Sequence, residues 1–103
     1  MASGRLGVAD LAATTNTSVY TAPTGKTATF SVSLCNRGST AVGVRLALAS
    51  SGSPAASEWI EYDCLISPNS VLERSGLMLD ANKVLVAYAS AANVSVVAWG
   101  VEE

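Results

Sequence analysis

Apolar and polar positions alternate with a period of two along most of the chain. From Thr27 to Asn36, Ala28, Phe30, Val32 and Leu34 fall on one face, and Thr29, Ser31, Ser33 and Cys35 on the other. That is the pattern of a half-buried strand. Asn36-Arg37-Gly38-Ser39 comes next as a turn cluster, in which Gly38 is free to take a positive φ. Alternation then resumes, with Val42, Val44, Leu46 and Leu48 inward and Ala41, Gly43, Arg45 and Ala47 outward. The two runs predict a β-hairpin.

Ser50 to Ser57 is rich in Ser, Gly, Pro and Ala and predicts a loop. Glu58 to Ile66 predicts a third strand, with Ile60, Tyr62, Cys64 and Ile66 sharing a face. Ser67-Pro68-Asn69-Ser70 and Asp80-Ala81-Asn82-Lys83 read as turns around a shorter strand or two in Val71–Asp80, broken near Gly76. Lys83–Ser90 and Val94–Glu102 predict the last two strands, and Ser18–Ala22 a short opening one, ended by Pro23-Thr24-Gly25. Seven to eight short strands with regular turn signals and no helical period predict an all-β protein. The expected architecture is an antiparallel β-sandwich, jelly-roll or Ig-like, over residues 18–103. Residues 1–17 carry only Leu6, Val8 and Leu11 as apolar anchors. They are expected to form an extended N-terminal arm that docks on a neighbour or caps the domain, or else a frayed terminus.

Composition narrows the function. With 103 residues there is one domain, and with 50% hydrophobic and 14% charged residues it is not a disordered tail. Six Lys and Arg against eight Asp and Glu give a net charge of −2, so no basic face for nucleic acid can be assembled. No run of 18 apolar residues predicts a membrane span. Histidine is absent, which removes the commonest general base, the usual zinc ligand and every histidine-containing triad. The first residues lack the apolar stretch of a secretory signal, so the chain is expected to be made in the cytoplasm and left unprocessed, with Cys35 and Cys64 as thiols. Opposite strand parity argues against a disulfide between them and places Cys64 deeper than Cys35. No cofactor or metal is expected. The sequons at Asn16 and Asn93 read as chance matches in a Ser/Thr-rich chain.

Some side chains stand out as candidates for chemistry or contact. Glu61 and Asp63 are expected on one strand face, about 7 Å apart. Paired carboxylates at such spacing can do acid–base work on sugars, but the bland reading is a solvated face whose charges discourage edge pairing. Trp59 and Trp99 have the parity opposite to the aliphatic set of their strands. They are second-layer core, interface anchors or a shelf for a host-surface glycan. Arg45 faces outward between Gly and Ala, where it pairs with a carboxylate such as Glu61 or Asp63, either on a neighbour or within the chain. Tyr20, Tyr62, Tyr88 and Phe30 are read as core. The candidate interface is therefore Leu6, Leu11, Arg45, Trp59, Glu61 and Trp99.

Three segments, in order, carry a resemblance. They are Leu11-Ala-Ala-Thr-Thr-Asn-Thr-Ser-Val-Tyr-Thr-Ala-Pro-Thr-Gly-Lys, then Phe30-Ser-Val-Ser-Leu-Cys-Asn-Arg-Gly with the Val-rich strand after it, and the closing Ala91-Ala-Asn-Val-Ser-Val-Val-Ala-Trp-Gly-Val-Glu-Glu. Together they resemble small virion structural proteins of tailed bacteriophages. The resemblance implies a non-enzymatic β-sandwich subunit, commonly trimeric, in the tail, fibre, baseplate or neck. The alternatives are a capsid decoration (cement) protein or, from outside this class, a carbohydrate-binding module. Its implied partners are copies of itself and other virion proteins. No functional residue is carried over, because such proteins have no catalytic motif to match.

Overall fold

A computed structural model describes residues 3–103. The described chain is all-β: β1 (Ser3–Leu11), β2 (Thr17–Thr21), β3 (Ala28–Asn36), β4 (Val42–Ala49), β5 (Trp59–Ile66), β6 (Val71–Leu79), β7 (Val84–Ala89) and β8 (Val94–Glu102), with one 3-10 turn at Ala56–Glu58. The strands form two antiparallel four-stranded sheets of order β1-β8-β3-β6 and β2-β7-β4-β5. Every connection except β4–β5 passes from one sheet to the other. This is the strand order of a jelly roll, one of the two sandwich types the sequence left open.

Alternation explains the core. Phe30, Val32 and Leu34 of β3 and Val94, Val96 and Ala98 of β8 are buried from one side; Val42, Val44 and Leu46 of β4 and Leu85, Ala87 and Ala89 of β7 meet them from the other. Each buried Leu, Val or Phe contributes about 1.5–3 kcal/mol relative to exposure. Tyr20 and Phe30 join this core, with ring centroids 6.3 Å apart. The Tyr20 hydroxyl donates to Glu102 Oε2, tying β2 to the end of β8 across the sandwich. Burial first, and that hydrogen bond second, push the Tyr20 phenol well above the ordinary tyrosine range.

The two most regular runs are strands, but they are not a hairpin. β3 pairs with β6 and β8, and β4 with β5 and β7, so the two face each other across the core. Residues 37–41 are an arch between sheets, and Asn36 anchors it. Its side chain is fully buried and donates from Nδ2 to the carbonyls of Thr40 (2.8 Å) and Ile66 (3.0 Å). Its Oδ1 accepts from the Gly38 amide at 2.9 Å. Gly38 is not among the residues with positive φ; that bond sets its turn instead. The predicted turns at 67–70 and 80–83 do form, with Asn69 and Asn82 left-handed at φ 60 and 68. The bend near Gly76 is a bulge at φ 72, where β6 gains one residue relative to β3 within one continuous strand.

Residues 3–11 of the expected arm are the edge strand β1, paired with β8 of the same chain from Ser3↔Val101 to Leu11↔Val94. Residues 1 and 2 lie outside the described part. The arm is held because Leu6 and Ala9 pack on the core and Leu11 enters it, 2% exposed.

Candidate functional site

The outer faces of the two sheets are the surfaces on which side chains gather. On the second sheet, β4 turns Arg45, Ala47 and Ala49 outward, beside Tyr88, Val86 and Val84 of β7. Ala47, Ala49, Val84 and Val86 are nevertheless buried, in a small cluster of their own against Trp59. The β4–β5 connection, residues 50–58, accounts for this: it returns over the face and delivers Trp59 onto it. Glu58 closes the loop by accepting from the Ala55 amide at 2.8 Å and the Ser50 amide at 3.1 Å. The Ala55 bond, then the Ser50 bond, hold the Glu58 carboxyl below the usual carboxylate range.

Beside that cover, β5 departs from strict alternation. Val44 pairs with Cys64 and Leu46 with Glu61, so Tyr62 and Asp63 both stand opposite Arg45. This is a bulge, and Asp63 adopts a left-handed φ of 53 within it. The carboxylate of Asp63 accepts from Arg45 Nε at 2.6 Å. The guanidinium lies between two rings, 4.1 Å from the Tyr62 centroid and 4.4 Å from that of Tyr88. The bond from Asp63 raises the pKa of Arg45 further above its ordinary value. Trp59 meets Tyr62 edge-on, with centroids 5.7 Å apart and planes at 73°. Trp59, Tyr62 and Ala56 line a shallow recess of about 390 Å³.

This geometry corrects several expectations. Tyr62 is 58% exposed and lies outside the core, and Tyr88 is half-buried beneath Arg45 on the outer face. Glu61 and Asp63 do not share a face: Asp63 holds Arg45, while Glu61 pairs with Arg74 of β6 at 2.9 Å, bridging edge strands of the two sheets. The bulge between them is the cause, since one extra residue reverses the parity of the strand beyond it. Of the two arrangements open for Arg45, the structure has the one within the chain.

The first sheet carries no such cover. Its outer face is read in rows across the strands: Val8, Val97, Ser33 and Glu73; Arg5, Trp99 and Ser31; Val101, Thr29 and Met78; Asp10, Ser95, Cys35 and Val71. Val8, Val71 and Met78 are each more than half exposed, and Trp99 is 37% exposed. Short Ser and Thr side chains separate them. Arg37 donates to Asp10 at 2.6 Å beside a second shallow recess, lined by Val8, Ala9 and Ser95. Cys35 sits on this face and Cys64 packs on the core; both are free thiols and both are half-buried. Of the six sequence candidates, Arg45 and Trp59 come together on the second sheet and Trp99 stands alone on the first. Glu61 bridges the sheet edges, and Leu6 and Leu11 pack against or within the chain's own core, which leaves Leu11 no surface to offer. The sequence reading named Asp63 among the carboxylates open to Arg45, but missed Tyr62 and Tyr88 as the rings on either side of it. No residue type within Trp59–Ile66 marked the bulge that brings them together.

Among the described residues, no group of three His, Cys, Asp or Glu is placed to hold a metal. In comparisons with known proteins the chain matches no family model, no curated protein and no solved structure.

Proposed function

We propose that this chain is a non-enzymatic structural subunit of a tailed-phage virion, and that it assembles with copies of itself through the outer face of β1-β8-β3-β6. The observation that carries the proposal is the contrast between the sheets. On the second sheet Ala47, Ala49, Val84 and Val86 are covered, with Trp59 packed on them, and the exposed apolar side chains are confined to Tyr62 and Leu65 on the edge strand β5, whereas Val8, Val71, Met78 and Trp99 on the first are left open across the sheet. Apolar side chains left exposed on an unobstructed sheet, with only short polar ones between them, support an interaction surface. Trp99 is of the residue type that most often anchors such contacts. The jelly roll is a fold widely used in virus particles, which supports the reading by analogy alone. A structural role also agrees with Glu61 and Asp63, the one acidic pair considered for catalysis, being separately neutralised by Arg74 and Arg45.

The proposed assembly is a trimer in the tail, fibre, baseplate or neck, with capsid decoration as the alternative place. Sedimentation at micromolar concentration tests it: a mass three times that of the chain is expected, falling to that of the monomer in Trp99→Lys with the far-UV spectrum unchanged. A wild-type monomer, or an oligomer indifferent to Trp99→Lys and Met78→Glu, would overturn assembly through this face. Mass spectrometry of purified particles tests the virion assignment, which fails if the chain is not present in a fixed copy number.

A further inference from the structure

The cluster on the opposite sheet has chemistry that assembly through the first sheet does not use. We propose that Tyr62, Arg45 and Asp63, with the recess beside Trp59, form a binding site for a neutral sugar ring.

A pyranose presents an apolar face of C–H groups and a rim of vicinal hydroxyls. It needs a flat aromatic surface and, beside it, a donor and an acceptor close together. Tyr62 provides the surface: it is 58% exposed, yet the Arg45 guanidinium 4.1 Å from its centroid and the Trp59 ring, with centroids 5.7 Å apart, hold it in place. A ring already immobilised loses little freedom on binding. Arg45 commits Nε to Asp63 Oδ1, which leaves its terminal amino groups as donors next to the remaining Asp63 oxygen as acceptor. The pair carries no net charge, which favours a neutral ligand over an anionic one.

The backbone gives a second reason. Asp63 holds a left-handed φ of 53, a conformation that costs a non-glycine residue free energy. Its side chain remains 56% exposed, so the conformation adds no apolar burial there. What it does is place Asp63 alongside Tyr62 opposite one Arg45. The recess of about 390 Å³ lies within the usual range of small-ligand sites, about 300–1,000 Å³. A protein partner would require about 800 Å² of complementary surface around it, and the folded-back loop 50–58 leaves this side of the sheet uneven.

The test is native affinity electrophoresis of the full chain in gels containing galactomannan, mixed-linkage β-glucan or α-mannan. At least one polymer is expected to retard the wild type. Tyr62→Ala is expected to weaken the retardation about tenfold or more, about 1.4 kcal/mol, with Tyr62→Phe keeping most of it. Asp63→Asn should weaken it, and Trp99→Ala on the other sheet should leave it unchanged. The proposal is overturned if none of the polymers retards the chain, or if Tyr62→Ala is retarded like the wild type. A Tyr62→Ala change in sedimentation with unaltered retardation would also overturn it, by assigning the cluster to protein contact. Because Trp99 and Tyr62 lie on opposite sheets, failure here is distinguishable from failure of the proposed assembly.

Discussion

The two sheets are built from the same alternation, yet their outer faces differ. Val84, Val86, Ala47 and Ala49 on the second sheet are as apolar as Val8, Val97, Val101 and Met78 on the first. One set is buried, while Val8 and Met78 are exposed and Val97 and Val101 half-buried, because a single connection, residues 50–58, returns to its own sheet instead of crossing to the other. Each face also carries one tryptophan. Trp59 packs on Ala47, Ala49, Val84 and Val86 and closes a small second core, while Trp99 projects from a bare sheet. A residue's apolar character therefore does not decide whether it stabilises the fold or offers a contact; the path of one loop does.

The largest effect is expected where both faces depend on the same support. Asn36→Ala removes the donor to Thr40 and Ile66 and the acceptor for Gly38. Leaving those groups unpaired should cost about 2–3 kcal/mol, measured as a lower urea midpoint with both faces lost in a single transition. Next is the tryptophan pair. Trp59→Ala should destabilise the monomer by about 2 kcal/mol, by opening the second cluster. Trp99→Ala should cost the monomer less than about 0.5 kcal/mol while weakening self-association. Equal urea midpoints for the two variants would erase the contrast between the faces.

Two pH effects are smaller. The neutral form of Tyr20 is favoured in the folded state, so its contribution is complete below the ordinary tyrosine pKa of about 10. It should be lost as pH rises beyond that value, and the urea midpoint should fall less steeply with alkali in Tyr20→Phe. Glu58 has the opposite sign. Its folded pKa is lowered, so its contribution is present above the ordinary glutamate range and lost as pH falls through the folded value. Faster amide exchange at Ser50 and Ala55 in acid, absent in Glu58→Gln, is the smallest expected effect. It would show the loop lifting from the second sheet while the first is unchanged.

Much of the fold was legible in the residues. The alternation at Thr27–Asn36 identified the buried face of β3 residue by residue, and the Asn-containing turns fell where expected, because strand period and turn chemistry are local properties. The candidate site was less legible. Arg45, with Asp63 as one of its open partners, and Trp59 were singled out, but Tyr62 and Tyr88 were assigned to the core and Asp63 was put on one face with Glu61. A bulge resets parity without any obligatory residue, so the face of each side chain in a strand such as Trp59–Ile66 cannot be found by counting alone.

Period-two patterning by itself determined that this chain is a stack of half-buried strands with one shared interior, and the lack of histidine and of a basic face narrowed the chemistry available to it. Only the tertiary structure decided that β3 and β4 oppose rather than pair, that residues 3–11 complete a sheet of their own chain, and that the centre of one outer face is covered while the other is open. The reason is physical: alternation records how deeply a side chain is buried, whereas partner strand, sheet and loop path depend on contacts between residues distant in sequence.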